Sequence, residues 1–364
     1  MDGDLEDIVD ATDEEFYNIV IRVPRVRRFH TRRSFEYWND AEFYTRFRMS
    51  KQSASLILEN IRSNIENKTT WCVIIFFLVI SLDSMNGGFL LTAGDLLGVS
   101  KTSVCRIIKK VSHHIALLRR LYIKFPETES ERAKVVQDFY NFARFPRVIA
   151  AMDCSHVRIQ SPELFRNRKG YFSINVQTLC DPSLKIMDIV ARWPGASHDS
   201  TIFNNSQIRA RFELGEFGNN VIVADGGYQC RTYVMTPLRQ CNSDAEALYN
   251  ESQIRTRNCV ERSYGVWKRR FPILATGLRL KLQTIQSIIV ATAILHNVCC
   301  MNKELILPPL DDNMEAQINL VNTTGSLAIA HDDNYSSRQV LINDYFNNLL
   351  SENNADYLDN EECL

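Results

Sequence analysis

Two aspartates in this sequence follow apolar runs that are typical of buried strands. The run "VIAAM" ends at Asp153, and the run "VIVA" ends at Asp225, which Gly226 and Gly227 follow. If the two strands are parallel neighbours, both carboxylates lie beyond the carboxyl ends of the strands, where open α/β sheets bind ligands. A single aspartate in such a place is usually a turn residue. The repeated pattern, with glycines that allow a sharp turn beside a ligand, favours a shared site.

A third acid, Glu261, lies in the segment Arg255–Phe271, which has helical periodicity. The residues that predict the buried face of this helix are Val260, Tyr264, Trp267 and Phe271. Glu261 follows Val260 by one position, about 100° around the helix axis, at the border of that face. A solvated position is the simpler interpretation of this glutamate. The cations around it, which we expect to bind phosphates, are Arg255, Arg257, Arg262, Lys268, Arg269 and Arg270.

Carboxylates that converge repel one another unless a cation lies between them. Oxygen ligands select hard divalent cations, so the expected cofactor is Mg²⁺ or Mn²⁺. Two such ions, about 3.5–4 Å apart, activate a water and stabilise the departing 3′ oxygen in phosphodiester cleavage. Asp199 in "SHDS" is a candidate fourth ligand, and it is equally a candidate N-cap of the helix that follows. The predicted metal ligands are Asp153, Asp199, Asp225 and Glu261.

The elements that must position these acids have an α/β pattern. Strands are predicted at 147–153, 171–181, 184–193 and 219–225, and helices at 195–212, 252–271 and 282–302. The turn sequence Asp181-Pro182-Ser183 predicts that the second and third strands form a hairpin. This order of elements predicts a mixed sheet covered by helices.

The region before the sheet, from Phe43 to about Arg120, has a helical pattern. Within it, Thr92–Val111 contains two short helical segments separated by Gly98-Val99-Ser100, which is the arrangement of a helix-turn-helix. The outward cations of its second helix, which we expect to contact DNA, are Lys101, Arg106, Lys109 and Lys110. Helix-turn-helix units also serve as structural corners, so a structural role stays open.

The charge of the chain is unevenly distributed. The formal net charge is −1, but residues 1–16 hold eight acids without a Lys or Arg, and residues 311–364 hold eleven acids and one arginine. The body between these ends therefore carries a net charge of about +17, which suits a nucleic-acid partner. We predict four regions: an acidic, then arginine-rich flexible arm (1–40), a helical domain (41–145), the α/β catalytic domain (146–305) and an acidic, largely disordered tail (306–364) with one candidate helix at 337–350.

Cysteine spacing and hydropathy narrow the class of protein. The ten cysteines include no C-x-x-C pair, which favours reduced thiols in a cytosolic or nuclear protein. The most apolar stretch, at 71–82, is shorter than the roughly 20 residues that cross a bilayer, so we expect no membrane partner. Zinc binding by His296 and Cys299, or a nucleophilic Cys154 or Cys230, is a weaker alternative, because neither comes with a second matching group.

Six sequence blocks carry a family resemblance: "AAMDCSHVRI", "WPGASHDSTIF", "VIVADGGY", "TPL", "RNCVERSYGVWKRRF" and "ILHN". In this order, over roughly residues 45–305, they resemble the Harbinger (PIF-like) transposases and the nucleases derived from them. The resemblance implies an RNase H-like catalytic fold with an Asp-Asp-Glu triad on Asp153, Asp225 and Glu261. It also associates Asp199 with the metal site.

The resemblance implies a transposase-derived nuclease that cleaves DNA phosphodiester bonds by a divalent-metal mechanism. It also implies a Myb-like DNA-binding partner and a location in the nucleus, with the cytoplasm as a second location; a homo-oligomer stays open. The alternative is a domesticated, catalytically silent DNA-binding or scaffold protein that acts with such a partner. Every acid of the family pattern is present, which favours the nuclease.

Overall fold

The helices before the sheet begin at capping residues that the sequence makes recognisable. The structure, a computed structural model, describes residues 35–65, 69–81, 99–160, 163–309, 315–319 and 335–351. In these ranges the first six helices are α1 (Asp40–Phe47), α2 (Lys51–Ile61), α3 (Thr69–Ser81), α4 (Lys101–Leu117), α5 (Arg119–Tyr122) and α6 (Glu129–Ala143). The side chain of Ser50 accepts a hydrogen bond from the Ser53 amide, which confirms Ser50 as the N-cap of α2.

Helix α4 is the second helix of the predicted helix-turn-helix. Ser100 caps it, and Val104, Ile108 and Val111 are buried against the core. The cations predicted to face outward are exposed: Lys101, Arg106, Lys109 and Lys110. The first helix of the predicted unit falls mainly on residues 92–98, which lie outside the described residues, so the helix-turn-helix itself stays a prediction.

The remaining elements form a five-stranded sheet and its covering helices. In chain order they are β1 (Val148–Arg158), β2 (Ser173–Cys180), β3 (Ile186–Pro194), α7 (Asp199–Asn204), α8 (Gln207–Glu213), β4 (Val221–Val223), β5 (Val234–Met235), α9 (Asp244–Arg270), α10 (Ile273–Thr276) and α11 (Leu282–Met301). The strand order is β3-β2-β1-β4-β5. Strand β2 is antiparallel to both β1 and β3, and β4 is parallel to both β1 and β5. The predicted hairpin and the mixed α/β class are confirmed, and this sheet is consistent with an RNase H-like domain.

Strand β1 is longer than the sequence predicted. It was expected to stop at Asp153, but it continues to Arg158 because β2 pairs with it from Ala151 to the end. The parallel pairing with β4 ends earlier, at Ala151 and Val223. The apolar run therefore marks where β1 stops being covered by a neighbour on both edges, and not where the strand ends.

Two predicted helices have different bounds in the structure. The helix expected at 195–212 is divided into α7 and α8, because Ser206 caps a new helix at Gln207. Helix α9 begins at Asp244, earlier than expected, because Ser243 caps it there.

Helix α11 is long and apolar enough to cross a membrane by length and composition, but 78% of that apolar window is buried inside the protein. A core helix passes the same test, and α11 has the position of one.

The hydrophobic core is continuous from the helical region into the sheet. One cluster contains Phe43 of α1, Val111 of α4, Val148 of β1 and Leu295 of α11. Side chains of the predicted helical domain and of the predicted catalytic domain share this cluster. The division into these two domains stays a prediction. The candidate helix of the acidic tail is present as α12 (Tyr335–Leu341), which continues into a π-helical turn at Ile342–Phe346.

Helix α12 and its following turn, which include the one segment of the tail that was predicted to be helical, pack on Phe145 and on α9. The ring of Phe346 contacts the rings of Phe145 and Tyr249, with centroid distances of 5.6 and 5.5 Å. The hydroxyl of Tyr345 donates a hydrogen bond to the carbonyl of Arg144 at 2.9 Å. The physical reason is apolar spacing: Leu341, Ile342, Phe346 and Leu349 form one buried stripe.

Candidate active site

Three carboxylates meet at the edge of the sheet where β1 and β4 stop pairing. The candidate ligand atoms of Asp153, Asp199 and Asp225 all lie within 4.8 Å of one another. Asp153 and Asp225 occupy equivalent places, since each lies two residues beyond the paired residues Ala151 and Val223. Parallel strands bring equivalent positions to the same edge. The structure therefore brings together the two aspartates that the sequence pattern selected.

Asp199 joins them from the first turn of α7. Its side chain is only 8% exposed, and Oδ1 accepts a hydrogen bond from Asn175 Nδ2 at 2.8 Å. The N-cap position of α7 belongs to His198, so the alternative assignment of Asp199 as the N-cap is wrong. Asn175 also donates to the carbonyl of Ser197 at 3.0 Å, which fixes the loop that carries Asp199.

Asn175 is a site residue that sequence reasoning missed. Its one available signal was an amide side chain in the strand "SINVQTLC", which is buried throughout. Buried amides require hydrogen-bond partners, and here the partners are Asp199 and the loop before it.

Backbone and hydroxyl groups hold the other two aspartates. The amide of Cys154 donates to Asp153 Oδ1 at 2.7 Å, and the amide of Gly227 donates to Asp225 Oδ1 at 3.0 Å. The hydroxyl of Tyr264 donates to the carbonyl of Asp153 at 2.6 Å, and it accepts from Thr178 at 2.9 Å. Tyr264 thus connects α9 to β1 at Asp153.

Burial disfavours the ionised form of all three aspartates when no cation is bound, and mutual repulsion adds to this effect at Asp153 and Asp225. Burial, and then the neighbouring charge of Asp225, raise the pKa of Asp153 well above its usual value, although Arg257 opposes the shift. Burial and the charge of Asp199 raise the pKa of Asp225 to about 6. Burial also raises the pKa of Asp199. The cluster is therefore a set of oxygen donors, one buried and two partly buried, that a divalent cation would stabilise in the ionised form, and this donor set fits Mg²⁺ or Mn²⁺.

Glu261 lies beside the cluster and is not one of its three members. Its side chain is 52% exposed, and its Oε1 lies 2.8 Å from Arg257 Nη2. The other guanidinium nitrogen of Arg257 lies 3.3 Å from Asp153 Oδ2. One arginine therefore links the helix acid to a strand acid. The charge of Glu261 also contributes to the raised pKa of Asp225, so Glu261 stays a candidate for the fourth carboxylate.

The arginine and lysine side chains of α9 are divided between surface and interior, which corrects part of the predicted phosphate-binding set. Arg257 is only 17% exposed and is bound by two acids of the site. Lys268 is fully buried, and its Nζ donates to Ser155 Oγ at 2.5 Å. Arg270 is fully buried and donates to the carbonyls of Arg48 and Glu304.

These positions are buried because α9 packs against other elements on more than the one stripe that periodicity identified. Lys268 adjoins Trp267 and Arg270 adjoins Phe271, and both of those apolar residues are buried. The prediction that Lys268 and Arg270 contact DNA at the surface is therefore wrong, because both side chains are fully buried. Burial lowers the pKa of Lys268 to about 7. The predicted cations of α9 that remain exposed are Arg262 and Arg255, whose Nη1 lies 3.3 Å from Glu251 Oε1; Arg269 is partly exposed and lies 3.8 Å from Glu315.

The alternative chemistries that the sequence left open find no support in the geometry. His296 is fully buried, its Nε2 lies 2.8 Å from the carbonyl of Leu184, and burial lowers its pKa to about 4. Burial raises the pKa of Cys299, and of Cys154 well above its usual value, so neither is a ready thiolate. Within the ranges that the structure describes, Asp153, Asp199 and Asp225 are the group whose ligand atoms could share a metal ion.

Comparison with known proteins finds a family match over the part of the chain that contains these acids. Residues 152–297 match the family model of the DDE superfamily endonucleases. The Bos taurus protein named "Putative nuclease HARBI1" is 30% identical over 220 residues, which cover 58% of this chain and 63% of that protein. Its Homo sapiens counterpart is 29% identical over the same shares. "Protein ALP1-like" of Arabidopsis thaliana is 20% identical over 293 residues, 75% of this chain and 68% of that protein.

The match to the two nuclease-named relatives spans less than two thirds of their length, at 63%. No solved structure matches this chain. The region of the family model includes all four carboxylates of the site, Asp153, Asp199, Asp225 and Glu261.

Proposed function

We propose that this chain, which carries a DDE superfamily endonuclease domain and is homologous to Harbinger transposase-derived nucleases, hydrolyses phosphodiester bonds of DNA. The observation that carries the proposal is the convergence of Asp153, Asp199 and Asp225 within 4.8 Å, inside the region of the family match. Carboxylates that lie close together with raised pKa values are typical of sites that bind metal ions or transfer protons.

In this proposal the three aspartates hold Mg²⁺ or Mn²⁺, and Glu261 is the third acid of the catalytic triad with Asp153 and Asp225. A bound ion would supply Lewis acidity at the phosphoryl oxygen and lower the pKa of the attacking water. The protein supplies the positions of the acids: Asn175 orients Asp199, and the amide of Gly227 orients Asp225. Arg257 holds Glu261 beside the cluster, ready to contribute its carboxylate.

The proposed substrate is DNA, bound through the exposed arginines Arg255 and Arg262 beside the acids and through the exposed cations of α4. Cations at such positions bind phosphates without regard to sequence, so the affinity should fall steeply as the salt concentration rises. A DNA substrate implies a nuclear protein. A Myb-like partner would supply sequence recognition.

The test is cleavage of duplex DNA by the full-length protein with Mg²⁺ or Mn²⁺, alone and with candidate Myb-like proteins added one at a time. Asp225→Asn keeps the size of the side chain and removes the charge that holds the ion, so cleavage should fall by at least about 100-fold. The matched control is Asp138→Asn, an exposed acid of α6, which should leave cleavage unchanged. Cleavage that persists in EDTA would contradict the metal mechanism. DNA binding without cleavage under every condition would replace the nuclease with the silent DNA-binding scaffold.

A further inference from the structure

The segment between β1 and β2 carries a second set of cations beside the acids. We name residues 163–172 the β1–β2 loop. Arg168 and Lys169 are exposed on it, and no carboxylate of the described residues lies within ion-pair distance of either. The neighbouring Arg166 differs, because its guanidinium binds Glu163 at 2.7 Å and is thereby neutralised. Two positive charges of this loop are thus available to a partner.

The loop is held in one shape by a buried side chain. Asn167 is 6% exposed, and its Oδ1 accepts hydrogen bonds from the amides of Lys169 at 3.0 Å and Tyr171 at 3.2 Å. Its Nδ2 donates to Ser173 Oγ at 3.0 Å, at the start of β2. Gly170 has φ 84°, a backbone conformation that favours glycine. The two exposed cations, of which Arg168 contacts the ring nitrogens of His198, are therefore presented by an ordered turn, which lowers the entropy cost of binding through them.

The β1–β2 loop and α9 contact different parts of the acid cluster: the loop contacts the residue before Asp199, and α9 contacts Asp153. Arg168 Nη2 lies 2.9 Å from Nδ1 of His198, the residue directly before Asp199. Burial raises the pKa of Asp199, and the charge of Arg168 is among the influences that lower it again. By contrast, Arg257 of α9 contacts Asp153 and lowers the pKa of Asp153 and Asp225. The loop serves the Asp199 side, and α9 serves the Asp153 and Asp225 side.

We propose that Arg168 and Lys169 bind phosphates of the DNA strand on the Asp199 side of the catalytic acids. The inference rests on the proposed nuclease function and adds a contact surface to it. A cluster of carboxylates repels a phosphodiester backbone, so the flanking phosphates need cations close to the acids to hold the DNA there. A guanidinium offers paired N–H donors to a phosphate, and an ammonium adds a point charge. Exposed, unneutralised and ordered, these two side chains meet that requirement.

The first test measures the salt dependence of DNA binding by fluorescence anisotropy with the full-length protein and a labelled DNA duplex. The double variant Arg168→Gln and Lys169→Gln should reduce the slope of log affinity against log salt by about 2, since each phosphate contact contributes about 0.9. The matched control removes two exposed lysines elsewhere, with Lys124→Gln and Lys134→Gln, and should leave the slope unchanged. Circular dichroism and thermal melting identify any variant that does not fold.

The second test needs no variant and is insensitive to misfolding. Acetylation of the wild-type protein, read by mass spectrometry, should show Lys169 protected when DNA is present and Lys124 equally reactive with and without DNA. Reactive Lys169 in the complex and an unchanged salt slope would overturn the proposal and leave Arg168 as a structural contact of His198. If Asp225→Asn still abolishes cleavage in that case, the nuclease function stands without this surface. A wild-type protein that neither binds nor cleaves DNA would overturn both.

Discussion

The acids on the strands and the charges on α9 are held in opposite ways. Asp153 and Asp225 are partly buried and have raised pKa values, and Arg257 is the one arginine within ion-pair distance of Asp153 among the described residues. On α9, in contrast, Lys268 and Arg270 are buried but bonded to protein oxygens. The strand acids therefore keep an unmet demand for positive charge, whereas Arg270 donates to two backbone carbonyls and lies 3.9 Å from Glu304 Oε2. Lys268 is intermediate, because it donates to Ser155 but burial lowers its pKa to about 7. An unmet demand of this kind indicates a ligand site, and a satisfied charge indicates a structural role.

The largest effect on stability should come from Arg270, a buried cation that donates hydrogen bonds to protein oxygens. Replacing Arg270 with Met leaves the carbonyls of Arg48 and Glu304 without their donor inside the core. We expect the free energy of unfolding to fall by about 3 kcal/mol, as when one partner of a buried charged contact is removed. Urea denaturation measures it. The neighbouring Arg269→Met, at a side chain 39% exposed, should cost less than about 1 kcal/mol. Equal losses in both variants would contradict the distinction.

The next effect separates the three clustered aspartates from Glu261 on α9. Asp199→Asn removes one of the three clustered carboxylates, so the affinity for Mn²⁺ should fall by about 100-fold or more. Glu261→Gln should weaken Mn²⁺ binding less, because Glu261 lies beside the cluster and is half exposed. Isothermal titration calorimetry of the two variants provides the comparison. A greater loss in Glu261→Gln would make the helix acid the principal ligand.

The pH dependence of stability should report the unmet charge directly. The pKa of Asp225 is raised to about 6 in the folded protein, so folding favours the protonated carboxyl. The stabilisation is complete below the unfolded pKa of about 4 and is lost as the pH rises through about 6, and roughly 1 kcal/mol of it is lost between pH 5 and pH 7.5 in EDTA. Denaturation at pH 5 and pH 7.5 measures this loss. Saturating Mg²⁺ should restore stability at the higher pH, and Asp225→Asn should reduce the pH dependence to the part that Asp153 and Asp199 contribute.

The smallest effect concerns the exposed part of α9. Arg262→Gln removes an exposed cation next to Glu261 and should lower the salt slope of DNA binding by about 0.9, for one lost phosphate contact. Lys134→Gln, an equally exposed cation on α6, should leave the slope unchanged. Anisotropy titrations compare the two. Identical slopes in both variants would remove Arg262 from the DNA surface.

The sequence was most informative where a side chain's position follows from its own strand. An apolar run with an acid at its end predicted Asp153 and Asp225, and the parallel pairing of β1 with β4 brought them together. It was less informative on α9, where six cations formed one predicted phosphate-binding surface. The apolar stripe of Val260, Tyr264, Trp267 and Phe271 is buried as expected, but the helix is enclosed on additional sides by Arg48, Glu304 and Ser155. Those contacts come from distant parts of the chain.

By itself the sequence determined the strand-borne acids, the capping of helices α2 and α4 and the buried stripe of α9, because these depend on local periodicity and on a residue's immediate neighbours. Only the tertiary structure decided that Asp199 joins the cluster through Asn175, that Arg257 links Asp153 to Glu261, and that Lys268 and Arg270 are interior residues. The physical reason is that a charge is exposed or buried according to what packs against it, and that partner is often far away in the sequence.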